Sequence, residues 1–126
     1  MIDFKNPELL KLSPVKNASF MKTINEFVSD VPGEEVIAVF KTVRDGVVFT
    51  TKRIIVINIE GVGLKRDYTS LPYKNIQAFS IETAGIGDID TELQLWFSGG
   101  IGLIKIEFTC GDSIKEICKY ISKYSL

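Results

Sequence analysis

The feature that most constrains this chain is a change in the spacing of its apolar residues near Pro32 and Gly33. Before this point, apolar side chains recur three or four residues apart, which places them on one face of a helix. From residue 34 to residue 109 they come instead in short or alternating runs separated by turn residues, as in β-strands. The pattern predicts a sheet with a helix leading into it.

We predict one amphipathic helix before the change, over roughly residues 17–30. Pro32 ends it, because proline disfavours helical geometry in the residue before it. Residues 6–13 are predicted to form a short helical turn with Pro7 at its first position. The apolar face of the main helix consists of Phe20, Ile24, Phe27 and Val28.

Seven strands are predicted after the change, and short turn motifs separate them. Asp45-Gly46 is typical of a two-residue hairpin, and Gly99-Gly100 joins the last two strands. These last two strands alternate apolar and polar residues, so we expect them to be half-buried antiparallel neighbours. The predicted strands lie near 35–44, 46–51, 53–60, 64–70, 76–83, 91–98 and 104–108.

The chain ends in a second amphipathic helix that begins with the capping box Ser113 and Glu116. Its apolar face must pack against the sheet, and seven short strands left as an open sheet would expose unpaired edges. A nearly closed antiparallel barrel plugged by this helix satisfies both requirements. We therefore predict a mainly β fold in one domain, with residues 1–33 as a helical segment packed on a barrel formed by residues 34–126.

Several linked stretches of sequence resemble the bacterial pleckstrin-homology (PH) domain family. They are DGVVFTTKRIIVI at 45–57, YTSLPYKNI at 68–76, FSIETAG at 79–85 and LQLWF at 93–97. The resemblance covers nearly the whole chain and implies a split seven-stranded barrel capped by the C-terminal helix. It also implies ring-like homo-oligomers, but no catalytic residue and no shared ligand.

Composition removes several classes of function. Fifteen basic and sixteen acidic residues give a formal net charge of -1, without the basic surplus of a nucleic-acid binder. The chain contains no histidine, so the commonest general base and metal ligand is missing, and we expect neither an enzyme nor a cofactor. Without a signal sequence or a long apolar run, a cytoplasmic protein is expected. Cys110 and Cys118 fit a reducing compartment and are interpreted as small core or strand-end residues.

Apolar residues on both faces of the early strands suggest an interaction surface. Residues 54–57 read IIVI, where a strand with one wet face would alternate. The N-terminal helix could cover the outer face, or a second copy of the chain could cover it. Under the second interpretation, the candidate interface residues are Ile54, Val56, Gln94 and Trp96.

Two ligand classes are weaker alternatives. PH domains of eukaryotes hold inositol phosphates on a basic loop, whereas here that loop is only residues 44–46. The candidate anion-binding residues, which would serve a membrane-surface adaptor, are Lys41, Arg44, Lys52 and Arg53. A small-molecule-binding protein is the other alternative, and it would need a concave pocket with converging polar groups. Asp88, Asp90 and Glu92 lack the spacing of a calcium loop and are interpreted as a solvated turn.

The leading hypothesis is a non-catalytic module that self-associates, in the form of a ring, and recruits a protein partner through a strand edge or the groove beside the last helix. We do not favour lipid as its partner.

Overall fold

Strand formation follows the alternating pattern, and the part of the chain described by a computed structural model contains eight strands and two α-helices. It describes residues 8–15, 18–28, 31–42, 45–60, 65–82, 91–109 and 114–125. The strands are β1 (Glu8–Pro14), β2 (Val36–Lys41), β3 (Asp45–Thr50), β4 (Arg53–Glu60), β5 (Lys65–Pro72), β6 (Ile76–Glu82), β7 (Thr91–Phe97) and β8 (Gly102–Phe108). The helices are α1 (Ala18–Val28) and α2 (Ile114–Ser125), and a 3₁₀ turn, Tyr73–Asn75, joins β5 to β6.

All eight strands belong to one sheet with the order β5-β4-β3-β2-β1-β8-β7-β6. Neighbours are antiparallel, except that β1 runs parallel to β8. The two terminal strands of this order, β5 and β6, do not pair with each other, so the barrel is split between them. The mainly β fold, a split barrel with a C-terminal helix, is confirmed, with one strand more than the seven predicted.

The additional strand corrects the prediction for residues 6–13, since residues 8–14 form β1 instead of a helical turn. Leu9 and Leu12 are three residues apart, a spacing more typical of a helix than of a strand, yet both are buried among the core residues of the barrel. A register shift between them in the pairing with β8 lets both side chains reach the interior. Pro7 and the predicted cap residue Ser113 lie outside the described residues.

The interior of the barrel holds the main core. Phe40, Phe49 and Phe108 are fully buried and contact one another, with ring centroids 4.7 to 5.9 Å apart. Helix α2 completes this core, as predicted, because the side chains on its apolar face enter the same cluster. Those side chains are Ile114, Ile117 and Ile121, and Cys118 packs against the cluster from its edge.

A second, smaller core lies on the outer face of the sheet, beneath α1. Ile24 and Val28 of the helix pack on an apolar sheet surface formed by Val39, Val48, Ile55 and Ile57. All six side chains are at most 5% exposed. The leading helix therefore covers the outer apolar face of β4, which is the first of the two interpretations that the sequence left open.

Candidate functional site

The turn between β3 and β4 is built by two threonine hydroxyls. The hydroxyl of Thr50 accepts hydrogen bonds from the backbone amides of Lys52 and Arg53, each at 3.0 Å. Thr51 ties the same turn to the segment before β2, since its hydroxyl donates to the carbonyl oxygen of Gly33 at 3.2 Å. Hydroxyl side chains close turns in this way because they bond to backbone groups two or three residues along the chain. The turn thus holds Arg53 in a fixed position at the start of β4.

Arg53 and Glu34 form a two-bond ion pair at this turn. Nε of Arg53 donates to Oε2 of Glu34 and Nη2 donates to Oε1, both at 2.9 Å. The hydroxyl of Thr50 donates to the same Oε2 at 2.8 Å. The Glu34 side chain is 0% exposed and that of Arg53 is 19% exposed. Parallel N–H···O bonds of this kind are among the stronger ones in proteins, so the pair fixes both side chains.

Helix α1 and strand β5 hold the same guanidinium from other sides. Nη1 of Arg53 donates to the hydroxyl of Ser70 at 2.8 Å. The ring of Phe27 lies 5.4 Å from the guanidinium carbon and stacks on Tyr68 at 4.7 Å between centroids. Arg53 therefore links the leading helix, the β3–β4 turn and the edge strand β5.

Tyr73 lies beneath the ion pair and is fully buried. Its hydroxyl donates to the carbonyl oxygen of Thr50 at 2.7 Å. Burial raises the pKa of Tyr73 far above its usual value, and the nearby charge of Glu34 raises it further. A tyrosine kept neutral in this way acts as a hydrogen-bond donor that supports the turn.

A cleft of about 510 Å³ opens beside the ion pair. We call it the Arg53 cleft. It lies where the end of the α1 segment, the β3–β4 turn, β5 and the last turn of α2 meet. Its described lining residues are Val31, Glu34, Lys52, Arg53, Ser70, Pro72, Lys74 and Tyr124. The cleft therefore combines cationic and apolar walls in one concave surface.

The predicted anion-binding residues are only partly brought together. Lys52 and Arg53 both line the cleft. Lys41 lies opposite Gly46, at the other end of the β2–β3 hairpin, which is roughly 20 Å away at the rise of an extended strand. Lys41 therefore lies apart from Lys52 and Arg53, while Arg44 lies outside the described residues.

The predicted interface residues also separate into two groups. Ile54 and Val56 are 0% exposed and belong to the core inside the barrel. A side chain enclosed by its own chain cannot meet a partner, so the prediction is wrong for these two. Trp96 does lie on the outer face, 36% exposed, and Gln94 lies half-buried on the same face, where it donates to Glu92 at 3.1 Å.

Trp96 has apolar neighbours across the strands. Its direct partners are Ala78 on β6 and Leu103 on β8, and directly opposite residues share one face of a sheet. A groove of about 220 Å³ also lies between β6 and the end of α2. The described residues that line it are Ile76, Gln77, Ala78, Phe79 and Ser125.

The remaining predicted sites are sparsely described. Asp88, Asp90 and Cys110 lie outside the described residues. Within the described part of the chain, no group of three potential metal-ligating residues occurs, and no helix there has the length and apolar character needed to cross a membrane. Cys118 is half-buried, and burial raises the pKa of its thiol to about 11, which favours the unreactive protonated form.

Residues 3–125 match the family model described as the bacterial PH domain. The chain belongs to this family. This bacterial PH domain is 41% identical over 112 residues to the uncharacterized protein YjqA of Bacillus subtilis, covering 84% of the chain and 90% of YjqA. It is also similar to the solved structure of a pleckstrin-homology-domain protein from Shewanella loihica, with a TM-score of 0.72, 33% identity and coverage of 93% and 99% of the two chains.

A second solved pleckstrin-homology domain, from Shewanella amazonensis, is 41% identical with a TM-score of 0.59, and the match covers 83% of this bacterial PH domain and 87% of that chain. The resemblance drawn from sequence is thus confirmed over nearly the full length. The Glu34–Arg53 pair within the domain was missed by sequence reasoning, because 19 residues separate its members and no local pattern joins them.

Proposed function

We propose that this bacterial PH domain is a non-catalytic assembly module whose copies join edge to edge, β6 of one copy to β5 of the next. The observation that carries the proposal is the open sheet, in which β5 and β6 are both terminal strands. A terminal strand offers a row of backbone N–H and C=O groups to another strand. Pairing through these groups requires no chemistry beyond hydrogen bonding and burial.

Strand β6 has few of the features that protect an edge from pairing. Natural edge strands are commonly blocked by lysine, proline or bulges. The seven residues of β6 read IQAFSIE, with no proline, no lysine and a single charge, at Glu82, and a register shift between Ile76 and Ala78 affects only the start of the strand. Phe79 and Ile81 pack half-buried against the barrel core, while Ala78 and Ser80 are exposed. This composition supports β6 as a pairing edge.

The charges of the two edges favour a head-to-tail arrangement. Strand β5 begins with Lys65 and Arg66, both exposed, whereas β6 ends with Glu82, also exposed. In antiparallel pairing, the start of one strand faces the end of the other, so the two cations would lie opposite Glu82. Contacts between two different surfaces generate rings when the rotation closes, which supports a ring.

The surface beside β6 supports recruitment of a protein partner by the assembly. Trp96 and Leu103 lie on the same outer face of the sheet as Ala78 of β6. The groove between β6 and α2 is also lined by Ala78. Tryptophan is enriched among the residues that dominate binding energy at protein interfaces. We therefore place the partner-binding surface next to the assembly edge.

Light scattering of the wild-type chain at micromolar concentration tests the proposal, and a particle several times the monomer mass is expected. The double variant Ala78→Lys/Ser80→Lys puts two charges on exposed positions of β6 and should yield folded monomers whose unfolding midpoint no longer depends on protein concentration. Asn25→Lys, at an exposed position of α1, is the matched control and should leave the particle mass unchanged.

A charge swap tests the pairing of β5 with β6 specifically. Glu82→Lys should raise the concentration at which the assembly dissociates by about two- to fivefold, in line with the modest energy of exposed ion pairs. Adding Lys65→Glu to the same chain should reverse this change. A wild-type chain that stays monomeric would overturn the assembly, and a swap without rescue would overturn the β5–β6 arrangement.

A further inference from the structure

The Arg53 cleft carries an apolar wall that the proposed assembly does not use. Val31 and Pro72 line it, and the ring of Tyr124 is 40% exposed beside them. Its volume of about 510 Å³ lies within the roughly 300 to 1,000 Å³ that is usual for small-molecule sites. The cleft therefore has both the size and the surface to hold the apolar body of a small ligand.

The opposite wall carries positive charge without a matching carboxylate. Glu34 is the acidic residue among the described lining residues, and its two oxygens are already bonded to Arg53 and Thr50. Lys52 and Lys74 line the same cleft and are both exposed. Because Glu34 and Arg53 neutralise each other, the charges of Lys52 and Lys74 give the described lining of the cleft a net positive charge.

Arg53 adds directed hydrogen-bond donors to this wall. A guanidinium group has five N–H groups, and the bonds to Glu34 and Ser70 occupy three of them. The group is held by its two partners and by the ring of Phe27, so it does not need to be ordered on binding. A donor fixed in advance lowers the entropic cost of binding.

From these walls we infer that the Arg53 cleft binds a small organic anion, whose phosphate or carboxylate group contacts Lys52, Lys74 and Arg53 and whose apolar body lies against Pro72 and Tyr124. The site goes beyond the proposed assembly, because the β3–β4 turn and the end of α2 also build it, whereas from β5, whose edge the assembly pairs, it takes only Ser70 and Pro72. It also differs from the hairpin end of β2 and β3, where Lys41 lies.

Titration of the full chain with phenyl phosphate and with phenylpropionate, followed by amide NMR spectra, tests the inference and distinguishes phosphate from carboxylate. The shifted amides should be those of Lys52, Arg53, Ser70 and Lys74. Inorganic phosphate has only the anionic group and phenol only the ring. Each should bind at least about tenfold more weakly than the tighter-binding of phenyl phosphate and phenylpropionate, because each contacts only one wall of the cleft.

The double variant Lys52→Gln/Lys74→Gln should weaken binding by about tenfold, and added salt should weaken binding to the wild type. Lys22→Gln/Lys119→Gln removes two exposed lysines on the helices and should leave affinity within about twofold of the wild type. Failure of both phenyl phosphate and phenylpropionate to shift the cleft amides, or equal binding by the two double variants, would overturn the inference.

Discussion

The carboxylate of Glu34 accepts three hydrogen bonds from side chains while its own side chain is fully shielded from water. Its substitution by glutamine keeps the size but removes the charge and leaves the guanidinium of Arg53 without its counterion. Removing one partner of a buried ion pair costs about 3 to 5 kcal/mol. Since Arg53 is 19% exposed, we expect Glu34→Gln to lower the free energy of unfolding by about 2 to 4 kcal/mol.

Urea unfolding measures this loss, and the neighbouring residue provides the control. Glu35 is exposed, so Glu35→Gln should change the free energy of unfolding by no more than about 0.5 kcal/mol. If the two variants unfold at the same urea concentration, the Glu34–Arg53 pair does not stabilise the fold as described.

At the residue scale, the sequence pointed to part of the candidate site. The charges of Lys52 and Arg53 follow a turn in the sequence, which predicts a place where an anion could bind, and both residues line the Arg53 cleft. Glu34, Ser70 and Tyr124 join them only because β4, β5 and α2 meet in space. The spacing of residues along one strand contains no information about such a meeting, so this half of the site could not be predicted.

At the scale of elements, strand β4 shows why the direction of a side chain was harder to predict than the strand itself. Residues 53–60 form a strand as predicted, but the run IIVI is apolar at every position and has no alternation to indicate which residues point inward. Pairing decides it, because Ile54 lies opposite Phe49 and Leu71, both of them in the barrel core. Ile55 and Ile57 therefore point outward, to α1.

Strand β1 was missed for a related reason. Its partners, β8 and β2, lie far along the chain, and non-local pairing overrides the local preferences that a short segment shows. The irregularity between Leu9 and Leu12 also gives the strand a spacing of three, which is characteristic of a helix. By contrast, α1 and α2 carry regular amphipathic patterns and were predicted almost to their ends.

The packing of α1 on the sheet leads to a prediction for this element. Ile24 is 2% exposed and packs with the apolar side chains of β2, β3 and β4. Ile24→Ala should reduce the free energy of unfolding by about 2 to 4 kcal/mol, since it removes buried methylene groups and leaves a cavity. Chemical denaturation checks the value, with Asn25→Ala on the exposed side of the same helix as the control. Equal stabilities of the two variants would show that α1 does not cover the sheet in solution.

At the scale of the whole molecule, stability depends on closing a split barrel from both sides. Helix α2 fills the interior with Ile114, Ile117 and Ile121, while α1 covers one outer face. Both cores enclose strands β3 and β4, so the ion pair, the two helices and the sheet stabilise one another. The order of the strands and the positions of the open edges depend on which strands pair in space. The spacing of apolar residues along the chain does not contain this information, so neither could be predicted from the sequence.

The same enclosure makes the molecule sensitive to alkaline pH. Burial raises the pKa of Tyr73 far above its ordinary value of about 10 and that of Cys118 to about 11. Both groups thus stay protonated in the folded chain at pH values where the unfolded chain has lost the proton. The stability that they contribute is complete below about pH 8, and it decreases as the pH rises through the unfolded values toward the folded ones.

We therefore expect the free energy of unfolding to fall between about pH 9 and pH 11, with a limiting slope of about 1.4 kcal/mol per pH unit for each group.

Tyr73→Phe should be less stable than the wild type at neutral pH by about 1 to 2 kcal/mol, because the carbonyl of Thr50 loses its donor, but its stability should decline less steeply above pH 10. Cys118→Ala should flatten the curve between pH 9 and 11. Denaturation at stepped pH measures the slopes, and Tyr124→Phe controls for the loss of a surface tyrosine. If the stability of Tyr73→Phe falls with pH in parallel with that of the wild type, the hydroxyl of Tyr73 ionises as readily in the folded chain as in the unfolded one. That result would show that Tyr73 is not buried beneath the β3–β4 turn in solution.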